Sequence, residues 1–219
     1  MESVMLNGIE VFVEAPEKHI QINDIRREDI AGLWACLKAA YPGYNVDFCF
    51  RDVEVPVEVL TEIGAELLED CVKMRLLPQD HKAYESHQVG PLTENDFDDF
   101  AAFHDAIDHG MYWTSRRMRD KMDIWRIVAL KTNGNISGYS MLRVKFRDAS
   151  LGEIYCVEAD NPSKRKSLLS AAVRCAFEEG KSEVIFMVDN DATEQEEALA
   201  IGFSAVGFYT AYNAVLPEE

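Results

Sequence analysis

The chain carries one pattern twice, near its start and again at its end. GIEVFVEA (Gly8 to Ala15) matches GEIYCVEA (Gly152 to Ala159) in length, with Gly, Val, Glu and Ala identical at four positions. Arg27 to Gly64 then lies over Arg165 to Gly202 at a constant offset of 138, pairing Val46 with Val184, Phe48 with Phe186 and Ile63-Gly64 with Ile201-Gly202. Between the two blocks the first copy has six extra residues. The same order of elements recurring with the same apolar rhythm marks a repeated structural unit. Residues 81–150 have no counterpart in the first copy, so the expected division is a partial domain over 1–80 and a whole one over 81–219.

Composition narrows the class. With 219 residues, 47% of them apolar, the chain has enough material for sizeable cores. The start, MESVMLNGIEVFVEAPEK, lacks a basic region followed by an apolar stretch, and no uncharged apolar run reaches membrane-spanning length. The expectation is a cytoplasmic protein without a membrane partner. Cys36, Cys49, Cys71, Cys156 and Cys175 are odd in number, widely spaced and set in apolar stretches, which reads as buried thiols in a reducing compartment. His19, His81, His87, His104 and His109 do not fall beside cysteines, so no metal site is expected. The net charge of −17, from 39 acidic and 22 basic residues, argues against nucleic acid as a partner. It suits a cationic substrate such as an amine, and equally a surface that keeps the chain soluble.

The second copy alternates helices and strands. In TENDFDDFAAFHDAIDH, Phe97, Phe100, Phe103 and Ile107 recur at helical spacing, and a short helix is expected within Gly110 to Met122. IWRIVALKT and ISGYSMLRVKF flank Asn133-Gly134, a hairpin signal. GEIYCVEA supplies the next strand, and LLSAAVRCAFEEG reads as a helix that Gly180 terminates. SEVIFMVDN is a continuous apolar run, expected to be a buried strand parallel to a neighbour. A polar helix around Thr193 to Ala200 and a long alternating strand, SAVGFYTAYNAVL, close the chain.

The order of these elements over residues 88–217 resembles the GNAT superfamily of acyl-CoA-dependent N-acyltransferases. The resemblance rests on GPLTENDFDDF, on the hairpin DIWRIVALKTNGNISGYSMLRV, on the strand, loop and helix from Glu153 to Gly180, and on VDN with ALAIGFSAVGFYTAY. It implies an α/β fold, with a mixed, mostly antiparallel sheet flanked by helices and preceded by a half-GNAT repeat. That first copy is expected to lack the opening strand, two helices and hairpin. It also implies transfer of an acetyl or similar group from coenzyme A to an amine within a ternary complex, with acetyl-CoA as co-substrate and no metal.

The resemblance also assigns residues. Glu153 is the candidate base, with an ordinary strand-end glutamate as the other reading, and the backbone around Cys156 and Val157 would face the thioester. The family's two loop glycines fall on Ser163 and Arg165, a departure from its pattern. Lys164, Arg165 and Lys166 nevertheless cluster at a helix start, where basic residues oppose the helix dipole and call for a bound anion or for acids such as Asp160. Asn190 and Phe203 complete the expected cofactor contacts. The family's frequent acid tyrosine is replaced by Ala198, leaving Tyr209 or Tyr212 as candidates to protonate the leaving thiolate. Tyr112, Trp113 and Glu158, with Asp120, are candidate contacts for the amine. The first copy's corresponding segment, PEKHIQINDIRRED, has no glycine and is expected to bind no cofactor, serving as a structural or dimerising half. The departures keep a second reading open, a catalytically inactive GNAT-fold sensor or partner-binding module.

Overall fold

The structure, a computed structural model, describes residues 1–107, 113–145, 148–190 and 193–218. They form two compact units, Met1–Val72 with Gly207–Glu219, and Lys73–Val206.

The first unit opens with β1 (Glu2–Leu6) and β2 (Ile9–Glu14), an antiparallel hairpin turned by Asn7 and Gly8, whose φ angles are 49° and 78°. Two successive positive φ angles match the strands' twist, and Asn-Gly adopts them at least cost. β3 (His19–Asn23) pairs antiparallel with β2, crosses over through α1 (Arg27–Ala40), and pairs parallel with β4 (Asn45–Arg51). α1 buries Ile30, Leu33, Trp34 and Leu37 against Ile20, Ile22, Val46, Phe48 and Phe50. The opposite face of β3 and β4 carries His19, Gln21, Asn23, Asp47 and Arg51, joined by hydrogen bonds such as His19 Nε2 to Asp47 (2.7 Å) and Arg51 Nη1 to Asn23 (2.9 Å). α2 (Val57–Glu62) and β5 (Glu66–Leu76) follow.

In the second unit, β6 (Val89–Pro91) leads into α3 (Phe97–Ala106), entered through a Thr93/Asp96 capping box, and then α4 (Ser115–Arg119). β7 (Trp125–Thr132) and β8 (Asn135–Arg143) form the expected hairpin, with φ of 54° at Asn133 and 86° at Gly134. β9 (Leu151–Ala159), α5 (Pro162–Glu178) and β10 (Glu183–Asp189) make a parallel crossover, and α5 ends at Gly180, φ 81°. α6 (Thr193–Ile201) precedes the last strand, β11 (Ser204–Val215). α3 packs Phe97 and Phe100 on Trp125, Ile127, Tyr139 and Met141, while α5 buries Leu168, Leu169, Ala172 and Val173.

Two features depart from the sequence-based division. First, β11 from Gly207 onward belongs to the first unit, where Tyr209 to Val215 pair antiparallel with Arg51 to Asn45 of β4. A cut between residues 80 and 81 misses this because nothing local to the strand names its partner. Second, register overturns the match of GIEVFVEA with GEIYCVEA. His19 of β3 pairs with Asn45 and Leu151 of β9 with Glu183, so β3 is the counterpart of β9, and β2 that of β8. The two copies along the chain therefore share a hairpin, crossover, helix and last strand in the same order, although most of β11 belongs to the first unit. The first copy keeps the hairpin that was expected to be missing, and lacks counterparts of β6, α3 and α4. The segment PEKHIQINDIRRED holds β3 rather than a loop. Apolar alternation is common to all antiparallel strands, so four identities did not distinguish neighbours in one sheet.

The five cysteines are free thiols, two of them buried (Cys49, Cys71) and three half-buried (Cys36, Cys156, Cys175), so the expectation of uniform burial is too strong. Among the described residues, no helix is long and apolar enough to cross a membrane, and no group of three or more His, Cys, Asp or Glu is placed to hold a metal.

Candidate functional site

The second unit's sheet is interrupted at β9. Against β8, Met141 faces Cys156 but Leu142 faces Ile154, so Tyr155 is an extra residue and β9 bulges there. On its other side β9 pairs with β10 only from Leu151/Glu183 to Ile154/Phe186. β9 runs on to Ala159 and β10 to Asp189 without pairing to each other, and the strands part at the bulge. Tyr155–Ala159 thus continue the strand beyond its last β10 partner, and α5 begins three residues beyond its end.

Side-chain direction follows from the register. Arg143, Met141 and Tyr139 of β8 face Glu153, Cys156 and Glu158 of β9, and Tyr139 and Met141 pack under α3, so these carboxylates share the α3 face. Glu153 is 22% exposed, with Arg143 Nη1 at 3.9 Å. Beneath it lies a chain of buried groups. His104 Nε2 is 2.8 Å from the Trp113 carbonyl and Nδ1 is 2.6 Å from the Tyr139 hydroxyl. A carbonyl only accepts, so Nε2 carries the hydrogen and, in the neutral ring, Nδ1 accepts from Tyr139. Burial, with Cys156 and Glu158 nearby, pushes the Tyr139 phenol far above its usual range, and burial likewise raises the Cys156 thiol. The raised thiol favours the protonated form of Cys156. Trp113 meets Trp125 edge to face, with ring centroids 5.3 Å apart.

The α5 N-terminus is heavily committed. Asn161 caps it, its Oδ1 accepting from the Lys164 N–H at 3.0 Å, and Pro162 at the first helical position has no N–H. Lys164 Nζ lies 2.9 Å from Asp160, as one of the two expected readings required. Arg165 is held in bidentate fashion by Glu197 of α6, at 2.6 and 2.9 Å, and that carboxylate's side chain is only 7% exposed. Lys166 sits over the Tyr84 ring, 4.7 Å from its centroid. Glu197, with Glu194 and Glu158, keeps the Arg165 guanidinium even more firmly charged than usual. Burial raises Glu194, helped by Asp189. Three acids, Glu197, Glu194 and Glu158, thus act on one arginine at the start of α5. Ser163, where a family glycine was expected, has its hydroxyl 2.8 Å from Ser86, 3.2 Å from Tyr84 and 3.3 Å from His87, residues of the segment that straps α5 along Ser163, Ser167 and Ser170.

The expected site residues divide accordingly. Glu153, Cys156, Val157 and Glu158 come together on β9, and Ser163, Lys164, Arg165 and Lys166 at the adjoining helix start. Asn190 is exposed at the end of β10, its carbonyl accepting from Gln195. Phe203 is not a surface contact: it is buried against Phe186, with centroids 6.3 Å apart. Tyr209 and Tyr212 belong to the first unit, paired opposite Arg51 and Phe48, and the Tyr209 hydroxyl donates to Cys49 Sγ at 3.3 Å. Trp113 lies under α3, Asp120 is exposed at the end of α4, and Tyr112 falls outside the described residues. Sequence reasoning missed the bulge at Tyr155, for which no local signal exists, and Glu197 as the partner of Arg165, 32 residues away.

Over 97% of this chain and 88% of its own, a GCN5-related N-acetyltransferase from Kribbella flavida superposes with a TM-score of 0.70 at 11% identity. The chain has the GNAT fold. A functionally unknown conserved protein from Staphylococcus epidermidis shares that fold over 97% of this chain and 93% of its own (TM-score 0.67, 12% identity). So does a tandem GNAT protein from the clavulanic acid biosynthesis pathway, over 96% and 79% (TM-score 0.60, 10% identity). No family model matches the sequence, and no curated protein does.

The GNAT fold implies an acyl-CoA co-substrate, and the residues fit it in part. Tyr155–Ala159, extended beyond the β9–β10 pairing, have the shape along which an extended arm carrying amides lies as another strand would. The helix start does not suit a pyrophosphate. Pro162 contributes no donor, the Lys164 N–H is taken by Asn161, and Arg165 is neutralised by Glu197.

Proposed function

We propose that the second unit is an N-acyltransferase that moves an acetyl or similar acyl group from a thioester to an amine. The observation that carries this reading is the parting of β9 from β10 at the Tyr155 bulge, beside two carboxylates on one face. An acyl thioester lying along Tyr155–Ala159 brings its carbonyl near Glu153. The amine nitrogen attacks the carbonyl carbon, a C–N bond forms and the C–S bond breaks. Glu153 takes the proton that the attacking nitrogen loses, directly or through a water. A backbone N–H near Val157 steadies the oxyanion. With Ala198 at the family's tyrosine position, the leaving thiolate takes its proton from water. Glu158, beside Tyr139, supplies negative charge for an ammonium group before it is deprotonated.

The test is thiol release from acetyl-CoA and from S-acetyl-pantetheine across a panel of polyamines, amino acids and peptide amines. Release with at least one amine, lost in Glu153→Gln, is the expected result, and background rates throughout refute the reading. The Arg165–Glu197 pair favours a second reading, in which the fold serves as a binding module without catalysis.

A further inference from the structure

The side of α5 turned away from the second unit's sheet carries a polar row with a cavity beside it. Helical spacing sets Leu168, Leu169, Ala172, Val173 and Ala176 on the side that packs against β7, β8 and β9, and Ser163, Ser167, Ser170 and Arg174 on the other. The segment from His81 to Val89 runs over this polar side. Ser170 Oγ accepts from the Tyr84 N–H at 3.0 Å, and the Ser86 hydroxyl lies 2.8 Å from that of Ser163 and 3.1 Å from that of Ser167. Segment and helix together enclose a cavity of about 350 Å³, whose lining includes Tyr84, Glu85, Ser86, His87, Gln88 and Arg174. That volume is in the range of small-molecule sites.

The chemistry of the wall suits an anion. Arg174 supplies a guanidinium, and the peptide N–H groups of Glu85, Ser86 and His87 are hydrogen-bonded to no described residue. Lys166 adds positive charge beside the Tyr84 ring, 4.7 Å from its centroid. The acid in the lining is Glu85, and its carboxylate pairs with Arg174. Both side chains are exposed, 65% for Glu85 and 47% for Arg174, and an exposed ion pair adds little stability. Glu85 thus holds the guanidinium as a removable stand-in, and displacing it costs a competing anion about fivefold or less in affinity. A phosphate has three terminal oxygens, enough to take the guanidinium and several peptide N–H groups at once. The Tyr84 and Ser86 hydroxyls and the Gln88 amide make the remaining wall polar, which favours a hydroxylated body over an apolar one.

We propose that this cavity binds a small phosphorylated polyol, with the phosphate on Arg174 and the peptide N–H groups of Glu85, Ser86 and His87, and the hydroxyls on Tyr84, Ser86 and Gln88. The proposal does not depend on the acyltransferase reading.

The experiment is calorimetric titration of the full chain with glycerol 3-phosphate, with inorganic phosphate and with glycerol, all at one ionic strength. The expected result is saturable binding of glycerol 3-phosphate below about 1 mM, about threefold or more tighter than inorganic phosphate, and no saturable heat from glycerol. Arg174→Gln should weaken binding about tenfold or more, whereas Glu85→Gln, which removes the stand-in, should tighten it about two- to fivefold. Both substitutions fall on exposed side chains, so the variants should melt with the parent protein. No saturable binding of either phosphate at about 10 mM, or binding unchanged in Arg174→Gln, overturns the site. Equal affinity for inorganic phosphate and glycerol 3-phosphate overturns the polyol assignment, and binding no tighter in Glu85→Gln overturns the role given to Glu85.

Discussion

Removing one side of the Arg165–Glu197 pair should cost far more from one direction than from the other. Glu197 has a 7% exposed side chain and Arg165 a 21% exposed one, so the carboxylate is the deeper partner. In Arg165→Leu that buried carboxylate is left without its bidentate donor, which costs about 3–5 kcal/mol. In Glu197→Leu the guanidinium keeps a route to water and has Glu194 and Glu158 close by, so the loss should be about 1–2 kcal/mol. The double variant removes both charges together and should recover most of the larger loss. For a chain of this size each kcal/mol moves the melting temperature by about 2–4 °C, so Arg165→Leu should melt about 6–20 °C lower. Trp113 and Trp125 lie in the second unit, and their fluorescence follows its unfolding in urea. Equal losses in the two single variants, or a double variant no better than Arg165→Leu, would refute the idea that burial of the carboxylate sets the balance.

Other expectations are more local. Glu153→Gln should lower the acyl-transfer rate about 10²- to 10⁴-fold with little change in melting temperature, and an unchanged rate excludes Glu153 as the base. A methyl at Gly138 would meet the Glu158 carbonyl at 2.8 Å, Ala159 Cβ at 3.0 Å and Leu168 at 3.1 Å, so Gly138→Ala should destabilise by about 1–3 kcal/mol in urea titration. Because burial raises its thiol, Cys156 should resist iodoacetamide at pH 8 in the folded protein and react only after denaturation, as peptide mass mapping will show. Deleting residues 207–219 should abolish cooperative unfolding followed at Trp34, since β4 loses its antiparallel partner.

Local signals in the sequence were sound wherever one short segment determines its own shape. Asn133-Gly134 dictates a turn with two positive φ angles, Gly180 ends α5 for the same conformational reason, and the run Glu183–Asp189 is a strand paired parallel to β9. Features that depend on distant partners were not legible. Lys164, Arg165 and Lys166 form a dense basic cluster in the sequence, yet each acquires a partner on folding: Asp160, Glu197 and Tyr84. Tyr209 and Tyr212 sit on a strand whose alternation is evident but whose neighbour is β4, about 160 residues earlier. The bulge at Tyr155 leaves no compositional trace, because any residue can occupy the extra position.

The course of β11 sets the order in which this protein can be made. During synthesis the first five strands and α1 emerge before the β11 residues that flank β4. At about 5–20 residues per second the interval between β4 and its partner is about 8–30 s, far longer than helix or hairpin formation. For that time the edge of β4 stands open to any strand in the vicinity. The unit whose strands are made first is thus completed only when a strand translated after the whole of the second unit reaches it.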